Sequence, residues 1–489
     1  MSQRKAVDDR FGSSPAGLPA NPKRSAPEPD LAPLVLDLDA ALPEGLAWEL
    51  GLFAVRRRPS SLPSILVRAL RGRWTGQTAS REIAADDAGR IRLDPVWWAA
   101  ALQARAEGRP VILLTAEHAE LAERLRRAHP FMSDIVVVPG CDAVAGLART
   151  AAVRARCRTG FVVLDASRAS GPWARAGVPY RPLEPLPAVS SGPASRAGVW
   201  IRALRLHQWA KNLLVFVPLV LAGQALDPSS WGQAMLAFVA FGLAASSTYL
   251  LNDLHDLGPD RAHPSKRHRP LASGRLTIPH ALAASGLGLI ACGGLALAAG
   301  PAGLATIAAY LALSLAYTFA IKRQMVVDVV TLAMLFSLRL VGGIAFCGVA
   351  SSAWLLAFSM FVFTSLAFGK RFIEIEQMAR AGLTEVAGRG YRSQDAPVVL
   401  ALGAAASAGA VLILSLFIVE ASARTTFYVH PELLWAAPVA LFVWLGRIWM
   451  LCGRGELRDD PVEFALTDRA SYGLGLVVVA SFTLACLAI

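Results

Sequence analysis

The stretch that decides the fold runs Tyr249-Leu-Leu-Asn252-Asp253-Leu-His255-Asp256-Leu-Gly-Pro-Asp260-Arg-Ala-His263-Pro-Ser-Lys266-Arg-His-Arg269-Pro270. It follows an apolar segment, Ala234 to Leu251, long enough to enter a membrane. Within a few residues come three carboxylates and then a row of basic and imidazole groups. Ionisable residues at membrane depth are costly and tend to be functional, so the pattern implies a polar site at a lipid border. Asp253, Asp256 and Asp260 are spaced by three and four residues and would share one face of a continuing helix. Like charges that close repel unless a cation sits between them, and oxygen ligands favour a hard divalent ion, Mg²⁺ first. Gly258-Pro259 is expected to break or kink the helix, so that Asp260 reaches the site from a loop. The plainer alternative is a solvated loop between two membrane helices.

Working outward, the 489 residues are 54% hydrophobic and 17% charged, too apolar for a soluble enzyme and too charged near the N-terminus for a purely membranous one. Two domains are expected. The formal charge of +12 is explained by Lys and Arg flanking apolar segments, which is membrane topology and needs no nucleic acid. Six scattered cysteines, Cys141, Cys157, Cys292, Cys347, Cys452 and Cys486, form neither a disulfide framework nor a zinc pattern. The polar, Pro-rich N-terminus has no secretory signal pattern, so the first domain is expected to stay in the cytoplasm.

Nine apolar segments are expected after an amphipathic interfacial helix from Trp200 to Asn212. They cover about 212–226, 231–251, 280–299, 302–321, 326–348, 352–369, 396–419, 432–451 and 471–489. Basic connections alternate with neutral ones, so the positive-inside rule puts the aspartate stretch and the N-terminal domain in the cytoplasm of a plasma-membrane protein. The charged clusters then share one face. Lys211, Lys266, Arg269, Tyr317, Lys322, Asp328, Lys370, Arg371 and the Asp459 to Arg469 segment mix carboxylates for a metal with cations for phosphate oxygens, a combination suited to a diphosphate. Arg339 lies within the fifth apolar segment and should face the bundle interior. Arg323 and Arg392 read as snorkelling side chains. His207, His255 and His263 lack metal-ligand spacing and read as polar lining.

Residues 1–32 have the composition of a disordered tail. Residues 33–176 alternate short apolar strands (from Leu34, Val111, Ile135 and Phe161) with helices over 95–107, 118–128 and 143–156, a doubly wound Rossmann-type α/β domain. Asp37, Asp39, Thr115 and Asp165 fall at strand ends, and there the domain resembles the haloacid-dehalogenase (HAD) superfamily. That likeness implies a nucleophile at Asp37, an acid/base at Asp39, phosphate binding at Thr115 and Mg²⁺ binding at Asp165. The pattern departs at Ala41 and Ala169 and lacks a lysine near 141–146, so an active phosphatase and a degenerate scaffold both stay open. Residues 177–199 read as a Pro- and Ser-rich linker.

Residues 200–489 resemble the UbiA superfamily of intramembrane prenyltransferases, through the nine-segment pattern and Asn252-Asp253-x-x-Asp256-x-x-x-Asp260. The second aspartate motif of ordinary members is reduced here to Asp328. With Gln208-Trp209-Ala-Lys211-Asn212, the 263–270 run and Gly369-Lys370-Arg371, this is similar to the branch of decaprenyl-phosphate phosphoribosyltransferases. The resemblance implies Mg²⁺-dependent transfer of 5-phosphoribosyl from phosphoribosyl diphosphate to a polyprenyl phosphate, for cell-envelope pentose donors. It places Asp253, Asp256 and Asp260, with Asn252, on the metal and donor. It places Lys322, Lys266 and Arg269 on the leaving diphosphate, with Lys211, Lys370 and Arg371 on a phosphate. A prenyl diphosphate donor with an aromatic acceptor is the alternative enzyme. A transporter is the non-enzymatic alternative, disfavoured because the polar residues crowd one face. A homo-oligomer is compatible with either.

Overall fold

The computed structural model describes residues 32–38, 42, 46–71, 73–80, 91, 93, 95–116, 118–138, 145–157, 160–165, 180–182, 195–224, 227–262, 266–350, 352–380, 382, 389–424, 428–457, 460–465 and 467–486. Asp39, Ala41, Ala169, His263, the expected tail up to residue 31 and most of the expected linker lie outside these, as does the side chain of Asp165. The chain divides into two compact units, Met1–Gly192 and Pro193–Ile489.

In the first unit, β1 (Leu34–Asp37), β2 (Val111–Thr115), β3 (Met132–Val137), β4 (Val162–Asp165) and β5 (Tyr180–Pro182) form one parallel sheet in the order β3-β2-β1-β4-β5. The helices are α1 (Leu46–Arg57), α2 (Leu62–Leu70), α3 (Gly76–Ser80), α4 (Pro95–Ala106), α5 (Ala119–Ala128) and α6 (Ala145–Arg156). Side chains alternate across a strand, so Leu34 and Leu36 join Leu50, Trp97 and Leu121 on one face. Val35, Ile112 and Val163 join Val153 on the other. Both faces of β1 and β2 are covered, which is why those strands read as unbroken apolar runs. Two differences from the sequence expectation sit on edge strands. β3 starts three residues early, at Met132, because its outer positions are polar and its apolar run marks only half of it. β5 lies inside the expected linker, where an edge position tolerates the missing N–H of Pro182.

The second unit is all-helical. It comprises α7 (Arg196–Ala203), a 3-10 segment (Leu206–Phe216), α8 (Val217–Leu221), α9 (Pro228–His255), α10 (Leu257–Ala262), α11 (Ile278–Ala298), α12 (Gly300–Phe319), α13 (Val327–Cys347), α14 (Ala353–Arg380), α15 (Ala396–Arg424), α16 (Ala436–Arg454), α17 (Pro461–Ala465) and α18 (Arg469–Cys486). Among the described residues seven helices are long and apolar enough to cross a membrane. The first and last of the nine expected segments are the shorter apolar stretches Leu206–Leu221 and Arg469–Ala485. The multi-pass membrane character stands on those seven.

Three local features set up the site. First, α9 and α14 have 28 residues each, which at about 1.5 Å per residue outruns a hydrocarbon core of roughly 30 Å. Their polar ends at His255 and Arg380 therefore project beyond the apolar windows, and Lys370, Arg371 and Glu374 ride on a helix where the sequence reading ended a segment at 369. Second, the interfacial helix expected from 200 to 212 breaks at Arg205, whose φ of 51° is left-handed. The chain then runs as a 3-10 segment wedged against two glycines. A Cβ on Gly242 would strike the Trp209 indole, and one on Gly343 would fall on the Val215 carbonyl. Third, the break near Gly258-Pro259 comes at Asp256, the C-cap of α9. Pro259 sits in the first turn of α10, where its missing N–H has no helical partner to lose. Asp260 is therefore on a short helix and not in a loop, its N–H donating to the Asp256 carbonyl at 2.8 Å.

Candidate functional site

The end of α9 and the start of α10 bring the three aspartates to one place, each held by a cation. Asp253, 5% exposed, accepts from Arg205 at 2.5 Å and from Arg269 at 3.2 Å. The same Arg269 Nη1 donates to Asp260 at 2.7 Å. Asp256 takes the Lys322 ammonium on both oxygens, at 3.0 and 2.9 Å. The left-handed turn at Arg205 points its guanidinium back to this cluster, where it also covers the Tyr249 ring at 4.6 Å. Burial pushes the Asp260 carboxyl above its usual range, against the pull of Arg269.

A second cluster joins the 3-10 segment, α14 and α17. Asp460 is shared by Lys370 at 2.9 Å and Lys211 at 3.3 Å. Glu463 lies 3.9 Å from Lys211 and accepts from Gln208. Burial alone would raise the Asp460 carboxyl, but Lys370 and Lys211 outweigh it and hold it well below the usual carboxylate range.

A third cluster is sealed. Arg371, 1% exposed, donates to Asp328 at 2.6 Å, to Glu374 and to the Tyr317 hydroxyl at 3.1 Å. Arg389 adds bonds to Tyr317 at 3.0 Å and Glu374 at 3.1 Å. Tyr391 donates to Asp328 at 2.8 Å while accepting from the Val326 N–H at 2.8 Å. That last bond ties down a β-branched residue at φ 66°, a strained conformation next to the helix start that presents Asp328.

Arg339 stands apart. It is 4% exposed, midway along α13, and donates to Asn212 Oδ1 at 2.8 Å, to the Leu335 carbonyl at 2.5 Å and to the Tyr310 hydroxyl at 3.1 Å.

All four clusters border one cavity of about 550 Å³. Its wall carries Arg205, Lys211, Lys266, Arg269, Lys322, Arg339, Lys370, Arg371 and Arg389 against Asp256, Glu374, Asp460 and Glu463. Asn252 and Tyr317 line it as well, while Asp253, Asp260 and Asp328 stand behind the wall. Of the residues singled out in the membrane unit, the structure thus gathers Asn252, Asp256, Lys211, Lys266, Arg269, Tyr317, Lys322, Arg339, Lys370 and Arg371 around one space. His207 and His255 are not on its wall, which corrects their reading as lining; His255 packs edge-on against Phe319. Arg389, Tyr391 and Tyr310 were missed, because nothing in their local sequence distinguishes them from connecting or packing residues.

No set of three His, Cys, Asp or Glu side chains among the described residues stands ready around a metal ion. The donor chemistry nevertheless fits a hard divalent cation. The Arg269 guanidinium already sits as a positive group between Asp253 and Asp260, and all the donors are oxygens. A metal held by Asp253, Asp256 and Asp260 would take over the place that Arg269 and Lys322 fill, freeing both for phosphate oxygens.

In the first unit, Asp37 and Thr115 do come to adjacent strand ends. Asp37 is 4% exposed and bonded to Arg149 at 3.0 Å, and the Thr115 hydroxyl accepts from the His118 N–H at 3.0 Å.

Comparison with known proteins bears on the membrane unit. The pattern described as the UbiA prenyltransferase family matches residues 213–467. The nodulation protein NoeC of Azorhizobium caulinodans is 36% identical over 293 residues, 59% of this chain and 94% of that protein. The protein y4nM of Sinorhizobium fredii is 40% identical over 311 residues, 63% of this chain and 59% of that one. The decaprenyl-phosphate phosphoribosyltransferase of Mycolicibacterium smegmatis is 39% identical over 188 residues, 37% of this chain and 58% of that enzyme. The chain thus spans about three fifths of the length of two of these three relatives. With the pattern matched across more than half of its residues, and with the aspartates, cations and cavity in place, the chain belongs to the UbiA prenyltransferase family.

Proposed function

We propose that this transferase moves a 5-phosphoribosyl group from phosphoribosyl diphosphate to a polyprenyl phosphate, releasing diphosphate. The observation that carries the reading is the cavity wall, which holds one cation cluster beside the aspartates and a second around Lys211 and Lys370. Two phosphorylated substrates need two such places, whereas a prenyl diphosphate and a neutral aromatic acceptor need one. The partial match to a decaprenyl-phosphate phosphoribosyltransferase supports the same choice.

In this reading Asn252, Asp253, Asp256 and Asp260 hold Mg²⁺, which when bound neutralises charge developing on the donor diphosphate. Lys322, Lys266 and Arg269 bind the oxygens of the leaving group and stabilise it as the C1–O bond breaks. Lys211, Lys370 and Arg371 orient the second phosphate, and Tyr317 and Asp328 fix the Arg371 fork. The lipid phosphate oxygen forms the new bond to ribose C1 while diphosphate departs with the electron pair of the old one. A phosphate monoester is already anionic near neutrality, so no strong general base is required. The protein would be a nine-crossing one of the plasma membrane, with the cavity opening to the cytoplasm. The first unit is proposed to be HAD-like, with Asp37, Asp39, Thr115 and Asp165 at its strand ends.

The test is transfer of radiolabelled phosphoribosyl diphosphate to a long polyprenyl phosphate in membranes carrying the chain. A labelled lipid that requires Mg²⁺ and Asp256 supports the proposal. Turnover of a prenyl diphosphate with an aromatic acceptor instead would favour the second reading, for which the family match speaks.

A further inference from the structure

Among the described residues, the buried charges around the cavity pair off, with one exception. Arg205 and Arg269 meet Asp253 and Asp260, and Lys322 meets Asp256. Lys211 and Lys370 meet Asp460 and Glu463. Arg371 and Arg389 meet Asp328 and Glu374. Arg339 has no carboxylate in ion-pair reach among the described residues, although it is 4% exposed on a helix that crosses the apolar layer. Three of its five N–H groups go to neutral oxygens, those of Asn212, Leu335 and Tyr310. A guanidinium keeps its charge at any working pH, and a buried charge without a counter-charge is strongly unfavourable.

The second observation is independent of the charge count. Asn212 is 1% exposed, and its Nδ2 amide has no hydrogen-bond partner. Exchanging the amide's oxygen and nitrogen does not cure this, because Oδ1 is the acceptor for Arg339 Nε. A buried donor left unmade costs the full desolvation of the group, so it marks a place where an acceptor belongs. Arg339 and Tyr310 stand on the wall of the cavity, and the orphan donor of Asn212, bonded to Arg339, lies just behind it; a lone cation with an orphan donor beside it calls for one ligand, an oxygen-rich anion.

We infer that Arg339, Asn212 and Tyr310 form a phosphate monoester subsite, separate from the aspartate cluster and from Lys211 and Lys370. The phosphate oxygens accept from the two unused Arg339 N–H groups and from Asn212 Nδ2, while Tyr310 and Leu335 hold the guanidinium in place. The inference rests on the proposed reading only in taking the cavity for a site of phosphorylated substrates. Two substrates of that reading carry a phosphate monoester, the lipid acceptor and, at its 5-position, the sugar donor. Both have the chemistry the subsite recognises.

The experiment is equilibrium binding to the full chain in lipid nanodiscs, with farnesyl phosphate, ribose 5-phosphate and inorganic pyrophosphate as separate probes, read by intrinsic tryptophan fluorescence. The decisive variant is Asn212→Asp, which supplies Arg339 with a built-in counter-charge in place of the ligand. Its melting temperature should equal or exceed that of the unsubstituted chain. Its affinity for one monophosphate should fall at least tenfold, with pyrophosphate unchanged within twofold. Arg339→Gln should produce the same selective loss. Loss confined to farnesyl phosphate assigns the subsite to the lipid, and loss confined to ribose 5-phosphate assigns it to the donor sugar. Unchanged affinity for both monophosphates in Asn212→Asp, equal losses for all three probes, or no monophosphate binding to the unsubstituted chain would each overturn the inference, leaving a buried water as the partner of Asn212. Because none of these arms requires turnover, they read out even if phosphoribosyl transfer itself fails.

Discussion

Arg371 and Arg339 sit on consecutive membrane helices, equally hidden, at 1% and 4% exposure, and they are solvated by the protein in opposite ways. Arg371, together with Arg389, is locked to two carboxylates and a tyrosine, a neutral ionic knot that also secures Asp328 and the strained Val326. Arg339 is bordered by an amide, a carbonyl and a hydroxyl, none of which carries charge. The difference separates a buried charge already met inside the chain from one that is not. A buried cation with its anion built in holds helices in register, and one left to neutral partners has its anion still to come.

The largest effect should come from cutting the knot. Arg371→Gln leaves the buried Asp328 and the part-buried Glu374 to Arg389 alone among the cations of the knot, at 3.6 and 3.1 Å, which is expected to cost about 3–5 kcal/mol and to lower the melting temperature of the purified chain steeply. Arg339→Gln removes a charge that nothing inside the chain needs, and its unfolding should change by no more than about 1 kcal/mol. Equal losses in the two variants would erase the distinction.

Next in size is Asp256→Asn. Asp256 is paired, like Arg371, but its side chain is 25% exposed, so the substitution should spare stability and reduce transfer by at least roughly 100-fold, as for loss of a group at developing charge. Radiolabel transfer together with thermal unfolding measures both halves.

Gly343→Ala is a smaller and more local intervention. A methyl group there must push the 3-10 segment at Val215, and Asn212 with it, away from α13. A loss of about 1–3 kcal/mol in stability is expected from overpacking, accompanied by weaker monophosphate binding. Unaltered binding would mean that Asn212 need not touch Arg339.

The smallest effect is on pH dependence. Lys370 and Lys211 depress the Asp460 carboxyl, so its contribution is fully present above the usual carboxylate range and fades as pH falls toward the depressed value. The melting temperature should decline below about pH 4. Asp460→Asn should flatten that decline by the equivalent of roughly 1 kcal/mol.

The sequence foretold the aspartates and the position of Arg339 for a shared reason. Charges inside long apolar runs are rare, and spacings of three and four residues fix a helix face without knowledge of any neighbour. The parallel sheet of the first unit was legible in the same way at β1, β2 and β4, whose runs are apolar because both faces are covered. The pairing of Asp460 with Lys211, some 250 positions earlier, was not, since only tertiary packing brings α17 to the 3-10 segment. Arg389 and Tyr391 were hidden too, in a polar connection that looks like any other until it folds over Asp328. The break at Asp256 was expected close to where it fell. The short helix that follows was not, because a proline in a first turn and one in a loop are indistinguishable by composition.

The 3-10 segment has one more consequence, a matter of reach. Eleven residues in that form rise about 2.0 Å each, against about 1.5 Å for the same residues in an α-helix. Laid straight and followed by the five residues of α8, they extend nearly 30 Å, the thickness of a hydrocarbon core, which an α-helix of equal length would miss by about 6 Å. In that form sixteen residues reach about as far as twenty in an α-helix. The 3-10 segment also spreads the polar side chains at its start, so that Gln208, Lys211 and Asn212 reach Glu463, Asp460 and Arg339 in turn.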